Sequence, residues 1–198
     1  MVHISGEDVK EVKTHVSYQD VAMQSGLVYA TSDASQSRPH AVHVYDRSTW
    51  CRLWEIPSPC CSAEHDNWHT LHVSDDRILL CCDNKDKLYV LSHSGELLQT
   101  HGRSRREATG DDIIGQTASG EPVYGSGVLF YPRLCQVDAE GSALVCDRRH
   151  HRFQVMRADG TWSVVKLDQP VRGRRGAAWC NASLYVANNN AIVRFSAL

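Results

Sequence analysis

Four residues, Tyr18, His69, Arg133 and Arg175, stand at matching distances before a short polar residue that ends an apolar run. Counted back from Ser32, Asp83 and Asp147 the distance is 14 residues, and from Asn188 it is 13. Brought together, a phenol, an imidazole and two guanidiniums would form a basic and aromatic rim, to which Trp68, Tyr131, Arg172 and Arg174 add stacking faces and further cations. A guanidinium is a planar fork that matches carboxylate and phosphate, so such a rim suits binding of anionic groups. Any one of the four could be an ordinary polar loop residue; their recurrence in register sets the group apart. A second basic run, Arg148, Arg149, His150, His151 and Arg152, is supplemented by Arg103, Arg105 and Arg106. It could grip RNA phosphates, each neutralised phosphate adding salt-dependent affinity, or it could be a solvated turn in which Arg152 makes structural contacts. Glu107, Asp111 and Asp112 partly cancel the charge of the three earlier arginines.

Bond chemistry has less to work with. Asp83, Asp138, Asp147 and Asn188 are repeated oxygen donors that could in principle converge on a divalent ion. The same residue types satisfy backbone groups at turns, which is the role expected here, with no metal, no cofactor and no catalysis. No Ser-His-Asp or Cys-His pairing can be argued from spacing, and there is no phosphate-binding or dinucleotide-binding glycine pattern. The eight cysteines, at 51, 60, 61, 81, 82, 135, 146 and 180, include no pair of CxxC motifs. The adjacent pairs Cys60-Cys61 and Cys81-Cys82 suit zinc poorly, because neighbours on a strand face opposite sides. Cysteines inside runs such as ILLCCD and SALVCD read as small buried hydrophobes. The sequon Asn181-Ala182-Ser183 falls where a tight turn is expected.

The elements that must position these residues form a repeat. LVYATS (27–32), ILLCCD (78–83), ALVCD (143–147) and LYVAN (184–188) are apolar runs that end in a short polar residue, preceded by the turns QSG, SDD, AEG and NAS. Each is followed by a second extended run: AVHVYD (41–46), KLYVLS (87–92), RFQVMR (152–157) and AIVRFS (191–196). After the middle two come the turns HSGE and ADGT and the further strands LLQTHG and WSVVKL. Four short antiparallel strands per unit is the composition of a propeller blade, and such a blade must stack on neighbours to bury both faces. The anchors are 51, 64 and 41 residues apart. The excess falls in an insertion at 102–125, rich in Gly, Ser, Thr and charge, and in DASQSRPH and PSPCCSAEHDN. No amphipathic helical period occurs. The expected fold is all-β, a β-propeller of four-stranded antiparallel blades forming one domain over 1–198, with units at roughly 17–58, 67–101, 130–168 and 172–198.

The third unit, PRLCQVDAEGSALVCDRRHHRFQVMRADG from Pro132 to Gly160, resembles an NHL repeat. The matching positions are Pro132, Val137-Asp138, Gly141, Leu144-Val145-Cys146-Asp147, His150-His151-Arg152, Phe153-Gln154-Val155-Met156 and Gly160, with His150 where Asn is usual and Arg133 where a small residue is common. The other units match more weakly. The resemblance implies an incomplete six-bladed NHL-type propeller with about four blades, in which VKEVKTHV near the N-terminus would be the last strand of a missing blade. The alternatives are a piece of a longer protein, a four- to five-bladed variant, or an open arc that needs a partner; a chain that begins partway through a blade would expose an apolar stacking face, which favours the first, with self-association through that face as a further possibility. By the same resemblance the chain is similar to the C-terminal propeller of tripartite-motif proteins, which selects a protein or RNA target for ubiquitin transfer or silencing. A RING region, which ligase activity would need, is absent from this sequence. Six-bladed propellers also include metal-dependent lactonases and lyases, the catalytic alternative to a binding role.

Composition narrows the partners. The formal net charge is −2, which leans toward a protein target, with single-stranded RNA as the alternative. No apolar stretch approaches the roughly 18 residues of a membrane span, and the N-terminal MVHISGEDVKEVK is too polar for a signal peptide. A cytoplasmic protein without membrane contact is the expectation.

Overall fold

The computed structural model describes residues 16–32, 40–59, 69–118, 120–167, 174–180, 183–188 and 191–196. Strands β1 (Tyr18–Gln24), β2 (Leu27–Ser32), β3 (Ala41–Asp46) and β4 (Arg52–Pro57) form the first blade in that spatial order. The second comprises β5 (His69–Val73), β6 (Ile78–Cys82), β7 (Lys87–Leu91) and β8 (Leu97–His101). Between the second and third lie β9 (Arg103–Ser104), β10 (Ile113–Gln116), β11 (Pro122–Tyr124) and β12 (Val128–Leu129). The third blade is β13 (Pro132–Val137), β14 (Ala143–Asp147), β15 (Arg152–Met156) and β16 (Trp162–Val165). The fourth has three strands among the described residues, β17 (Arg174–Cys180), β18 (Ser183–Asn188) and β19 (Ala191–Ser196). Neighbouring strands within every blade are antiparallel.

The second strands of the first three blades read as nearly unbroken apolar runs because both their faces are covered. Ile78 to Cys82 and Ala143 to Asp147 are buried at every position, unlike the half-buried alternation of a one-sided sheet. Odd and even residues serve different interfaces. Tyr29, Val42, Val44 and Ile56 of the first blade pack on Ile78, Leu80 and Cys82 of the second. Leu79, Cys81 and Leu88, on the other side of the second blade, pack on Ala143, Val145 and Met156 of the third. Leu144, Cys146 and Phe153 then meet Leu184, Val186 and Phe195 of the fourth. Among the described residues no core cluster joins the fourth blade back to the first, so the chain is a β-propeller whose sheets do not close.

The register fixes which positions are equivalent. Tyr18 pairs with Ser32, His69 with Cys82, Pro132 with Asp147 and Arg174 with Asn188. The second strands therefore align at Ser32, Cys82, Asp147 and Asn188, and Cys82 takes the place the sequence pattern assigned to Asp83. The slip has two local causes. The turn closed by Val73 and Ile78 is one residue shorter than the turn closed by Val137 and Ala143, and β13 has a register irregularity between Leu134 and Gln136 that β5 lacks.

The innermost strands are sheet edges, and their outward N–H groups need acceptors. The preceding blade supplies them through side chains. Gln19 Oε1 accepts from the His69 N–H at 2.7 Å and Asp20 Oδ2 from Leu71 at 2.9 Å. Thr70 Oγ1 accepts from Leu134 at 2.9 Å, and Gln136 Oε1 from Trp179 at 2.5 Å. These bonds stitch consecutive blades along their innermost strands.

The insertion is more ordered than its composition implies. β10 and β11 form a hairpin, and β12 runs parallel to β9 with Val128 beside Arg103 and Leu129 beside Ser104. Leu129 is fully buried and belongs to the core between the second and third blades. No helix among the described residues is long and apolar enough to cross a membrane. The run VKEVKTHV lies outside the described residues except for Val16.

Candidate functional site

Antiparallel pairing places the start of each innermost strand, the connection leading into it and the turn between the second and third strands at one end of the blades. Asp147, wholly buried as the last residue of β14, organises that end in the third blade. Its carboxylate accepts from the Phe130 N–H at 3.0 Å, His150 Nδ1 at 2.7 Å, Arg152 Nε at 3.0 Å and Gln154 Nε2 at 3.0 Å. Arg152 donates onward to the carbonyls of Tyr124, Gly125 and Val128, and Gln154 Oε1 accepts from the Gly127 N–H. Asp147, Arg152 and Gln154, three conspicuous residues of the repeat motif, thus clamp the end of the insertion onto the blade. A carboxylate holding four donors, two of them on cationic or ionisable side chains, has its lone pairs committed to the protein.

The clamp presents an aromatic pair. Phe130 and Tyr131 have ring centroids 5.0 Å apart, with His150 5.8 Å from Phe130 and Tyr124 5.2 Å from His150. The Arg105 guanidinium lies over Phe130 at 5.6 Å and that of Arg149 over Tyr131 at 5.5 Å. Tyr131 has a left-handed backbone, φ 54°, costly for a bulky residue, and its N–H donates to the Asp86 carboxylate at 2.8 Å. Burial pushes the Asp86 carboxyl up to about 6 against the pull of that N–H, with the nearby Asp147 and Asp83 adding to the rise.

Charge at this end is unevenly committed. Glu107 is paired with Lys87 at 2.5 Å and Asp112 with Arg103, and both carboxyls are held below their ordinary range by these contacts and by backbone N–H bonds. The exposed Arg105, Arg106, Arg148 and Arg149 have no carboxylate partner among the described residues.

The residues singled out from the sequence divide accordingly. Tyr131 and Arg149, assigned to separate clusters, belong to one array, and Arg148 and His151 flank it as exposed turn residues. Arg152 is structural. His150 bonds to Asp147 and stacks within the array. His69, 2 % exposed, is not a surface group: its ring packs 4.5 Å from that of His40, and Nε2 lies 3.3 Å from Ser58 Oγ. The Tyr18 phenol crosses its own blade to bond with His43 Nδ1 at 2.8 Å and with the Tyr45 hydroxyl, beside Glu55 and Arg52. Burial and the Tyr45 contact raise its pKa, so it is no activated nucleophile. Arg133 is partly buried in β13 opposite Cys146, one residue out of phase with Tyr18 and His69. Arg174 and Arg175 begin β17, Arg174 in the equivalent register. Trp68 and Arg172 lie outside the described residues. The sequence did not single out Phe130 or Asp86; their only signals were an apolar Val-Leu-Phe run outside the repeat and a turn aspartate.

Of the repeated oxygen donors, Asp138 caps its own turn by accepting from the Ser142 N–H, and Asp83 is buried in the turn after β6. Among the described residues no three metal-ligating side chains are grouped. Cys81, Cys82 and Cys146 are buried core residues, whereas Cys51 and Cys180 are exposed.

No family model and no curated protein matches the sequence. Solved structures do match the fold. YCF48 from Cyanidioschyzon merolae superposes with a TM-score of 0.60 at 12 % identity, covering 98 % of this chain and 58 % of that one. Streptogramin B lyase gives 0.54 at 14 % identity over 90 % of this chain and 54 % of the lyase. The computationally designed protein Ika4 gives 0.53 at 8 % identity over 98 % of this chain and 99 % of its own. The chain therefore spans little more than half of the two natural proteins and nearly all of the designed one. At these identities the likeness establishes a propeller fold and nothing finer.

Proposed function

We propose that this chain is a non-catalytic, cytoplasmic binding module that receives a segment of another protein on the loop end of its second and third blades. The observation that carries this reading is the array of Arg105 on Phe130 and Arg149 on Tyr131, bordered by Arg106 and Arg148, with the surrounding carboxylates occupied by internal partners. Aromatic and arginine side chains are the residues that carry binding energy at protein interfaces. The motif from Pro132 to Gly160 supports a finer version, in which the module selects targets as the propeller of a tripartite-motif ubiquitin ligase does. The enzyme alternative is disfavoured because Asp147, one of the possible metal ligands and wholly buried, is saturated by protein donors.

Site-specific photo-crosslinking in cells tests this reading. A crosslinker at position 148 should trap a protein, one at position 94 on the opposite end should not, and Arg105→Glu with Arg149→Glu should abolish the product. Equal trapping at both positions, or none, would count against it. Single-stranded RNA is the second reading, favoured by the same unpaired guanidiniums; it requires the trapped species to be nuclease-sensitive.

A further inference from the structure

The chemistry of the ligand can be taken further, on the premise that the loop end is the binding face. We infer that the array of Arg105, Phe130, Tyr131 and Arg149 is a receptor for the carboxylates of an acidic peptide segment. Arg105 and Arg149 each lie over a ring, at 5.6 and 5.5 Å, and the two rings are themselves in contact. A guanidinium held on a ring has already lost much of its rotamer freedom, so its N–H edge is presented at reduced entropic cost. What it lacks is an acceptor. The nearby acids do not supply one: Asp147 is buried under four donors, Asp112 is engaged by Arg103 and Glu107 by Lys87, and the exposed Asp111 forms no ion pair with either arginine among the described residues. Arg106 and Arg148, exposed beside the pair, extend the same charge along the turn.

The same arrangement argues against a nucleobase. Base recognition by such surfaces uses open aromatic faces for stacking. Here a guanidinium occupies a face of each ring, and Phe130 also contacts Tyr131 and His150. A base would have to displace an arginine, whereas a carboxylate adds to the outer edge of each guanidinium and leaves the stack intact. Tyr131 is fixed for this by its left-handed backbone and its bond to Asp86.

Fluorescence anisotropy on the full chain decides the matter with three labelled probes: a (Glu-Gly)4 peptide, its (Gln-Gly)4 counterpart and an eight-residue oligouridylate. The acidic peptide should bind saturably and about tenfold or more tighter than the neutral one, weaken with salt, and lose about tenfold in R105Q/R149Q. Arg77→Gln, in the turn at the far end, should leave binding unchanged. Circular dichroism melts matching the parent would show that the double variant still folds. Failure of the acidic peptide to bind, equal affinity for both peptides, or tighter binding of the oligouridylate overturns the inference. If crosslinking at position 148 still traps a protein when the acidic peptide fails, only the ligand chemistry falls. If both fail, the binding-face premise falls with it.

Discussion

An aspartate at the end of an apolar strand can serve a ligand or the fold, and Asp147 serves the fold. Removing it leaves Arg152 and His150 without their anion and the Phe130 N–H and a Gln154 donor without their acceptor. Asp147→Ala should therefore cost about 3 kcal/mol, and Asp147→Asn less, in urea unfolding at neutral pH. Asp86 works in the opposite sense. Its folded carboxyl titrates near 6, above the ordinary carboxylate value, so the fold favours the protonated form. The associated stability is fully present below about pH 4, is lost as pH rises from there to about 6, and leaves a constant penalty above that. Allowing for partial solvent screening, the penalty is about 1 kcal/mol. Asparagine tolerates the left-handed backbone that Asp86 adopts, φ 56°, and keeps an oxygen for the Tyr131 N–H. Asp86→Asn should raise stability at pH 7.5 by about 1 kcal/mol and flatten the decline between pH 4 and 6 in denaturation midpoints. A variant less stable at pH 7.5 would mean that the charged carboxylate is needed to hold Tyr131.

At the scale of elements, the seams between blades combine apolar stacking with single side-chain bonds along the inner strands. Thr70 is a clean test, because Thr70→Val keeps the shape and removes the acceptor of the Leu134 N–H. The loss should be about 1 to 2 kcal/mol, together with faster amide exchange at Leu134. These stitches were not legible in the sequence, since Gln19, Asp20, Thr70 and Gln136 look like ordinary polar positions of alternating strands. The second strands were legible for a physical reason: burial on both faces writes a continuous apolar run, as in ILLCC and ALVCD. That same uniformity hid the register of the second blade, because Asp83 ends its run just as Asp147 does, while a shorter preceding turn and the absence of the irregularity found in β13 shift the pairing. The array was legible only in parts. Arg105 and Phe130 are distant in sequence and meet because β9 and β12 run side by side, a parallel contact of two residues each that leaves no periodic signal. His69 was misplaced on the rim because its spacing reports position along the strand and not which way the ring packs.

The molecule as a whole behaves as a stack, since each blade shares its core with its sequence neighbours and, among the described residues, no core cluster joins the fourth blade to the first. Stability in such a stack is a sum of blade terms and nearest-neighbour interfaces, so it should vary along the chain. Among the described residues the core clusters give the second and third blades apolar partners on both sides and the first and fourth blades one each. The outward surfaces reflect this: Val21 and Met23 in β1 are each 60 % exposed, and Ile192 in β19 is 77 % exposed. Besides Val21 and Met23 the first blade carries the Tyr18, His43, Tyr45 and Glu55 network within its own sheet. Native-state hydrogen exchange on the isolated chain should find the slowest amides in β6, β7 and β14, and opening free energies that fall toward β4 and β19. The gradient should not change with protein concentration. If β1 and β19 instead became as protected as β6 as concentration rose, a second copy would be completing the ring, and the stack would have to be treated as half of a closed assembly whose stability is set by protomer concentration.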